Sequence, residues 1–253
     1  MAECTRPLPI SAVPIVRAGP GAECSGLTFC FSLAAVTTSI SSGAAAPTLS
    51  AVDLACRRGE RRLFSDLQLE LPARRFVWLR GDNGRGKTSL LRLLAGLATP
   101  EAGQVLVDGE PVRKAALRGL QPIYIGHANA LKDDLSAAEA LQFLARLHGR
   151  AADLPRIDAA LDTLGLSSRR RAPVRTLSQG QRRRIALARL ALESAPLPWI
   201  LDEPYDALDV AGIAALDGLL QAHVARGGSV ILTSHQALSA TAPAATEFRL
   251  QAR

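Results

Sequence analysis

Gly81-Asp82-Asn83-Gly84-Arg85-Gly86-Lys87-Thr88 is the stretch on which the fold turns. It fits the pattern G-x-x-x-x-G-K-[ST], and each fixed position has a physical reason. Gly81, Gly84 and Gly86 can take backbone angles closed to residues with a Cβ, so the loop can curl with its N–H groups pointing inward at phosphate oxygens. A helix opening near Lys87 adds the positive end of its dipole. Lys87 supplies a cation for the β- and γ-phosphates, and the Thr88 hydroxyl is placed to ligate Mg²⁺. The expected nucleotide-binding set is therefore Gly81, Asp82, Asn83, Gly84, Arg85, Gly86, Lys87, Thr88 and Ser89. Such a loop needs a strand before it and a helix after it. Phe76–Leu79 is strand-like, and Leu90, Leu91, Leu94 and Leu97 predict one apolar face of a helix from Lys87 to Leu97.

Farther along, Trp199-Ile200-Leu201-Asp202-Glu203-Pro204 is a short apolar strand ending in two acids. A carboxylate at the tip of a buried strand suits a metal, so Asp202 is expected to hold Mg²⁺. Glu203, one residue on, points elsewhere and suits a general base that polarises an attacking water. The plainer alternative is a pair of strand-end charges in solvent.

The remaining pattern is strand-like at Leu49–Ala55, Leu67–Leu71, Val105–Val107, Ile123–Ile125, Ser229–Thr233 and Thr246–Gln251. Helices are expected from Ser136 to about His148, over Ile157–Leu164, from Ser178 to about Leu192, and over Val210–Ala225. Strands alternating with helices predict an α/β protein with a largely parallel sheet. Residues 128–176 read as an inserted helical subdomain. Residues 1–47 are rich in Ala, Ser, Pro and Gly with no persistent period, and are expected to be a disordered extension before a domain over 48–253.

The net charge of +7 suits an anionic partner such as a nucleotide, nucleic acid or acidic membrane surface, without choosing among them. Cys4, Cys24, Cys30 and Cys56 include no C-x-x-C pair, which argues against a disulfide framework or zinc site and for a reducing compartment. No run approaches the roughly 18 apolar residues of a membrane-spanning helix.

Three further segments carry a family resemblance. Leu177-Ser178-Gln179-Gly180-Gln181 resembles the L-S-G-G-Q signature of ABC ATPases. Ala207-Leu208-Asp209 resembles the loop after their hydrolytic acids, and His235 their switch histidine. With the phosphate loop and the acidic strand, all occur in the family's order from about 48 to about 238. The resemblance implies a P-loop NTPase core with a mostly parallel sheet, an antiparallel β subdomain and an inserted α-helical subdomain. It also implies ATP and Mg²⁺ as ligands, with His235 acting beside Glu203 in catalysis. Ser178, Gly180 and Gln181 are expected to complete a second subunit's nucleotide site, in a homodimer that sandwiches ATP. Read without the family, Ser178 is a good helix N-cap and Gly180 a place for a ligand to approach closely.

Tyr124-Ile125-Gly126-His127, Lys132 and Leu135-Ser136-Ala137-Ala138-Glu139-Ala140-Leu141 resemble the ATP-binding subunit of the bacterial cytochrome c maturation haem exporter, as do Thr233-Ser234-His235-Gln236 and Leu201–Asp209. His127 stands where most ABC ATPases have Gln, and joins the expected nucleotide-binding residues. Ala140 replaces the usual Asn, and Gln179 is bulky for its place. No aromatic is evident for the adenine, and Arg57 and Arg58 lie near that position. The resemblance implies an ATP hydrolase that drives haem translocation or releases haem from its chaperone. It implies membrane-spanning partners of CcmB and CcmC type, and a peripheral place on the cytoplasmic face of the bacterial inner membrane. Nucleic acid is not expected as a partner. The competing readings are a transporter ATPase for another cargo, a soluble ABC ATPase acting on DNA or ribosomes, and a non-hydrolysing nucleotide sensor.

Overall fold

The computed structural model describes residues 46–250. In chain order the strands are β1 (Leu49–Arg58), β2 (Arg61–Leu71), β3 (Phe76–Arg80), β4 (Ala102–Val107), β5 (Glu110–Pro111), β6 (Ile123–Ile125), β7 (Trp199–Leu201), β8 (Val230–Thr233) and β9 (Thr246–Arg249). The helices are α1 (Lys87–Leu94), α2 (Val112–Leu117), α3 (Ala137–Leu147), α4 (Leu154–Thr163), α5 (Gln179–Ala188) and α6 (Val210–Ala225). The first sheet is antiparallel with order β2-β1-β4-β5, and the second is parallel with order β6-β7-β8-β3-β9.

Alternation makes the parallel sheet a wall between two cores. Trp199, Leu201, Val230 and Leu232 face a cluster shared with α3, α4, α5 and α6. Ile200 and Ile231, between them in sequence, face the other way, onto α1 and the antiparallel sheet. Successive strand residues point to opposite faces, so strands covered on both sides must be mostly apolar, as these are up to Thr233 at the end of β8.

Local chemistry sets the helix starts. Ser136 and Glu139 form a reciprocal capping box at α3, Asp153 caps α4, and Asp209 caps α6. The expected 128–176 region holds α3, α4 and two short 3₁₀ turns.

The structure corrects several expectations. Leu97 does not belong to the buried face of α1. That helix stops at Leu94, Gly96 takes a φ of 71°, and Leu97 emerges 58% exposed while Leu93 is buried. The helix opened by Ser178 is α-helical only to Ala188 and tightens to a 3₁₀ turn over Arg189–Leu192. Helix α2 went unforeseen, being too short for a period to show, with only Val112 and Ala115 buried.

The expectation for residues 1–47 lies outside the described residues, apart from Ala46 and Pro47. So do Cys4, Cys24 and Cys30; Cys56 is buried and free. No helix of the described residues is long and apolar enough to cross a membrane.

Candidate functional site

The strand order β6-β7-β8-β3 brings four loops together. Parallel neighbours lie about 4.8 Å apart and end on one edge, and ligands of such sheets bind beyond that edge. Here the loop after β6 carries His127, the tip of β7 carries Asp202 and Glu203, β8 leads to His235, and β3 feeds the phosphate loop. They surround a cleft of about 540 Å³. Asn83, Gly84, Gly86, Lys87, Thr88 and Ser89 line one side, and His127, Asp202, Glu203, Asp206 and His235 the other.

Gly86 precedes α1 at a φ of 95°, in the left-handed region. A Cβ there would also come within 3.1 Å of Leu63, which packs beneath the loop. No side chain caps α1, so its first N–H groups are open to an anion. Lys87 Nζ donates to the carbonyls of Gly81 at 2.7 Å and Asp82 at 3.4 Å, which holds the ammonium over the loop. Asp82 and Arg85 pair with each other at 3.3 Å. With Gly81 they line a neighbouring recess rather than the cleft.

The two acids are fixed by one hydroxyl. Thr233 Oγ1 donates to Asp202 Oδ1 and accepts from the Glu203 N–H, both at 2.9 Å. Asp202 Oδ2 is buried and has no hydrogen-bond partner. An orphaned carboxylate oxygen beside a cleft that Thr88 also lines fits the hard oxygen ligands Mg²⁺ requires. Glu203 Oε2 accepts from the His235 N–H at 2.9 Å, and Oε1 lies 3.5 Å from His235 Nε2. The Glu203 backbone has a φ of 49°, a left-handed conformation that costs a non-glycine residue about 1–3 kcal/mol. Just beyond, burial and the Asp217 carboxylate push the Tyr205 phenol upward, and its O–H donates to Asp217 at 2.7 Å.

His127 is exposed, with Nδ1 3.5 Å from Asp206 Oδ2. Ser178 and Gln181 form a capping box at α5: the Gln181 N–H donates to Ser178 Oγ at 3.2 Å, and Gln181 Oε1 accepts from the Ser178 N–H at 3.0 Å. Ser178, Gly180 and Gln181 do not line the cleft of their own chain. A Cβ on Gly180 would lie 2.4 Å from the Ala207 carbonyl, so this chain's own loop also requires glycine there.

At the far end of the cleft, Arg58 and Arg61 pair across the β1–β2 turn and line the wall with Leu63. Arg57 does not join them, because Glu101 holds it at 3.1 Å together with Arg62 at 3.2 Å. No Phe, Tyr or Trp is among the described residues lining the cleft.

The sequence reading missed Thr233, Asp206, Arg61 and Arg183. Arg183 is buried, and its guanidinium donates to the Asp202 carbonyl at 2.9 Å and the Glu203 carbonyl at 2.8 Å. Its signal was spacing. Arg183 shares a helical stripe with the buried Ala186, Leu187 and Leu190, a place for an apolar residue. The signal for Thr233 was a lone hydroxyl ending an apolar strand.

A nucleotide-sized cleft between a phosphate loop and paired strand-end acids defines an ATP-binding protein of the P-loop class. The family model described as ABC transporter matches residues 64–206, and the chain belongs to this family. The chain is 48% identical over 197 residues to the cytochrome c biogenesis ATP-binding export protein CcmA of Pseudomonas syringae pv. syringae, covering 77% of this chain and 91% of that protein. It is 44% identical over 207 residues to the protein of the same name from Albidiferax ferrireducens, covering 81% and 98%. A solved ATP-binding subunit of an ABC transporter superposes with a TM-score of 0.66 at 25% identity, covering 74% of this chain and 79% of that one.

Proposed function

We propose that this chain is the ATP-hydrolysing subunit of an ABC exporter of cytochrome c biogenesis, and that its turnover drives haem translocation or releases haem from a chaperone. The observation carrying the ATPase part is that Lys87, Thr88, Asp202, Glu203 and His235 border one cleft. The cytochrome c part is supported by the names of the relatives.

The triphosphate lies along the phosphate-loop N–H groups and the start of α1, with Lys87 leaving its loop carbonyls for the β- and γ-oxygens. Asp202 and Thr88 are the residues to hold Mg²⁺, which supplies charge neutralisation between the phosphates when bound. Glu203 accepts the proton of the water that attacks the γ-phosphorus as the bond to the β,γ-bridging oxygen breaks and ADP leaves with its electron pair, and His235 holds the Glu203 carboxylate in place through its N–H. The base and ribose extend toward Leu63, Arg58 and Arg61, where a guanidinium plane can stack on adenine. Ser178, Gly180 and Gln181 face a second copy's nucleotide in a homodimer, the positive end of the capped helix α5 turned to its phosphates. The membrane-spanning partners are of CcmB and CcmC type, and the chain sits peripherally on the cytoplasmic face of the inner membrane.

Purification of the full chain from bacterial membranes, with its partners identified by mass, tests this reading. Small haem-handling membrane proteins are the expected result. A permease of another family would overturn the cargo, and salt-sensitive nucleic-acid binding without membrane partners would overturn the transport role.

A further inference from the structure

Helix α5 carries three consecutive arginines, and the structure sends them to three different places. Arg182 turns back to the carbonyls of Leu177 at 3.1 Å and Arg175 at 3.0 Å. Arg184 reaches the Asp209 carboxylate. Arg183, only 3% exposed, goes inward to the site. Its Nη1 donates to the Gly126 carbonyl at 2.7 Å, with Asn129 Oδ1 at 3.2 Å and the His127 carbonyl at 3.4 Å also in reach. Its Nη2 donates to the carbonyls of Asp202 at 2.9 Å and Glu203 at 2.8 Å, and its Nε to Pro204 at 3.4 Å.

A guanidinium has five N–H donors in a rigid fork, and these acceptors occupy all three of its nitrogens. They belong to two loops, the one after β6 and the one after β7. The surrounding charges of Asp206, Asp202 and Glu203 oppose the lowering of its pKa by burial. The clamp closes where the backbone needs it, on both carbonyls flanking the left-handed Glu203. Such a conformation persists only when its surroundings over-determine it, and Arg183 and Thr233 are what surround it.

We propose that Arg183 is a positioning residue for hydrolysis: its guanidinium locks the Asp202–Pro204 and Gly126–Asn129 segments together and so aims the Glu203 carboxylate at the cleft. This rests on reading Glu203 as the base. Lysine keeps the charge but gathers its three donors at one point, so it cannot span both loops.

The test measures kcat, KM and ATP affinity of R183K, E203Q and the double variant, in the full chain assembled with its membrane partners. R183K should lower kcat about 100-fold, the scale of a small misplacement of a catalytic group, while ATP affinity stays within about 3-fold. Because Arg183 acts through Glu203, adding R183K to E203Q should lower kcat by no more than about 2-fold further. Losses that multiply in the double variant, or wild-type kcat in R183K, would overturn the clamp and leave the base standing. Wild-type turnover in E203Q alone would remove the base, and the proposal with it. If R183K does not fold, N129A keeps the arginine and removes its side-chain acceptor. A fall in kcat of about 2–5-fold at unchanged ATP affinity supports the clamp, and unchanged kcat contradicts it.

Discussion

At the strand-end side of the cleft, Asp202 and Glu203 are buried, and their backbone and side chains are tied to Thr233, His235 and Arg183. At the hairpin side, Arg58 and Arg61 stand exposed on a tight turn and make no ion pair among the described residues. One end is held in place by the chain's own contacts; the other is exposed and makes no such ion pairs among the described residues. Preorganised groups act on the chemical step, because nothing has to be rearranged when charge develops. Exposed surface arginines act on binding, and part of what they gain is returned as lost side-chain freedom. Changes at the two ends should therefore separate into effects on kcat and effects on affinity.

The largest binding effect should come from between the two ends. Lys87→Ala removes the cation over the phosphate loop and should weaken ATP by on the order of 10–100-fold in equilibrium titration, from the loss of a charge-assisted hydrogen bond. Unchanged affinity would break the phosphate-loop assignment itself.

A smaller effect sharpens the comparison. The double change Arg58→Ala with Arg61→Ala should weaken ATP by roughly 3–20-fold through lost stacking on guanidinium planes. Inorganic tripolyphosphate, which has no base, should bind the variant and the parent alike. An equal loss for both ligands would show that the arginines act only as diffuse positive charge.

The change that should leave ATP binding untouched lies outside the cleft. His223 is buried, stacked on Trp199 with ring centroids 3.7 Å apart, with Nε2 2.9 Å from the Leu197 carbonyl and Nδ1 2.9 Å from Arg226. Those partners fix a neutral ring whose Nδ1 accepts from the guanidinium. Burial first, and Arg226 second, push its pKa down from 6.5 to about 3. Between those values the unfolded chain binds a proton that the folded chain refuses. Stability is thus unaffected by this group above about pH 6.5 and falls as pH drops toward 3, by up to about 1.4 kcal/mol per pH unit. Melting temperature against pH should show this decline, and His223→Gln should flatten it while leaving ATP affinity at neutral pH unchanged.

The sequence made the fold legible wherever a local rule sufficed. The phosphate loop, the acidic tip of β7 and the helix starts at Ser136 and Ser178 each declare themselves within a few residues. What stayed hidden depends on contacts between distant segments. Arg183 and Glu203 are 20 residues apart and meet only because α5 packs behind β7. Nothing in a run of three arginines distinguishes the inward one except its helical phase. Arg57 and Arg58 look equivalent in sequence, and only the position of Glu101 separates them. Leu97 misled because an apolar period continued past the Gly96 turn that ends its helix.

The central claim is that Glu203 is a preplaced base and not a binding residue. It is tested by Glu203→Gln in the full chain with its membrane partners, measuring bound ATP and turnover together. The predicted result is ATP bound at near-parent affinity in a stable dimer, with kcat lowered by about 100–10,000-fold. Turnover at the parent rate would contradict the account.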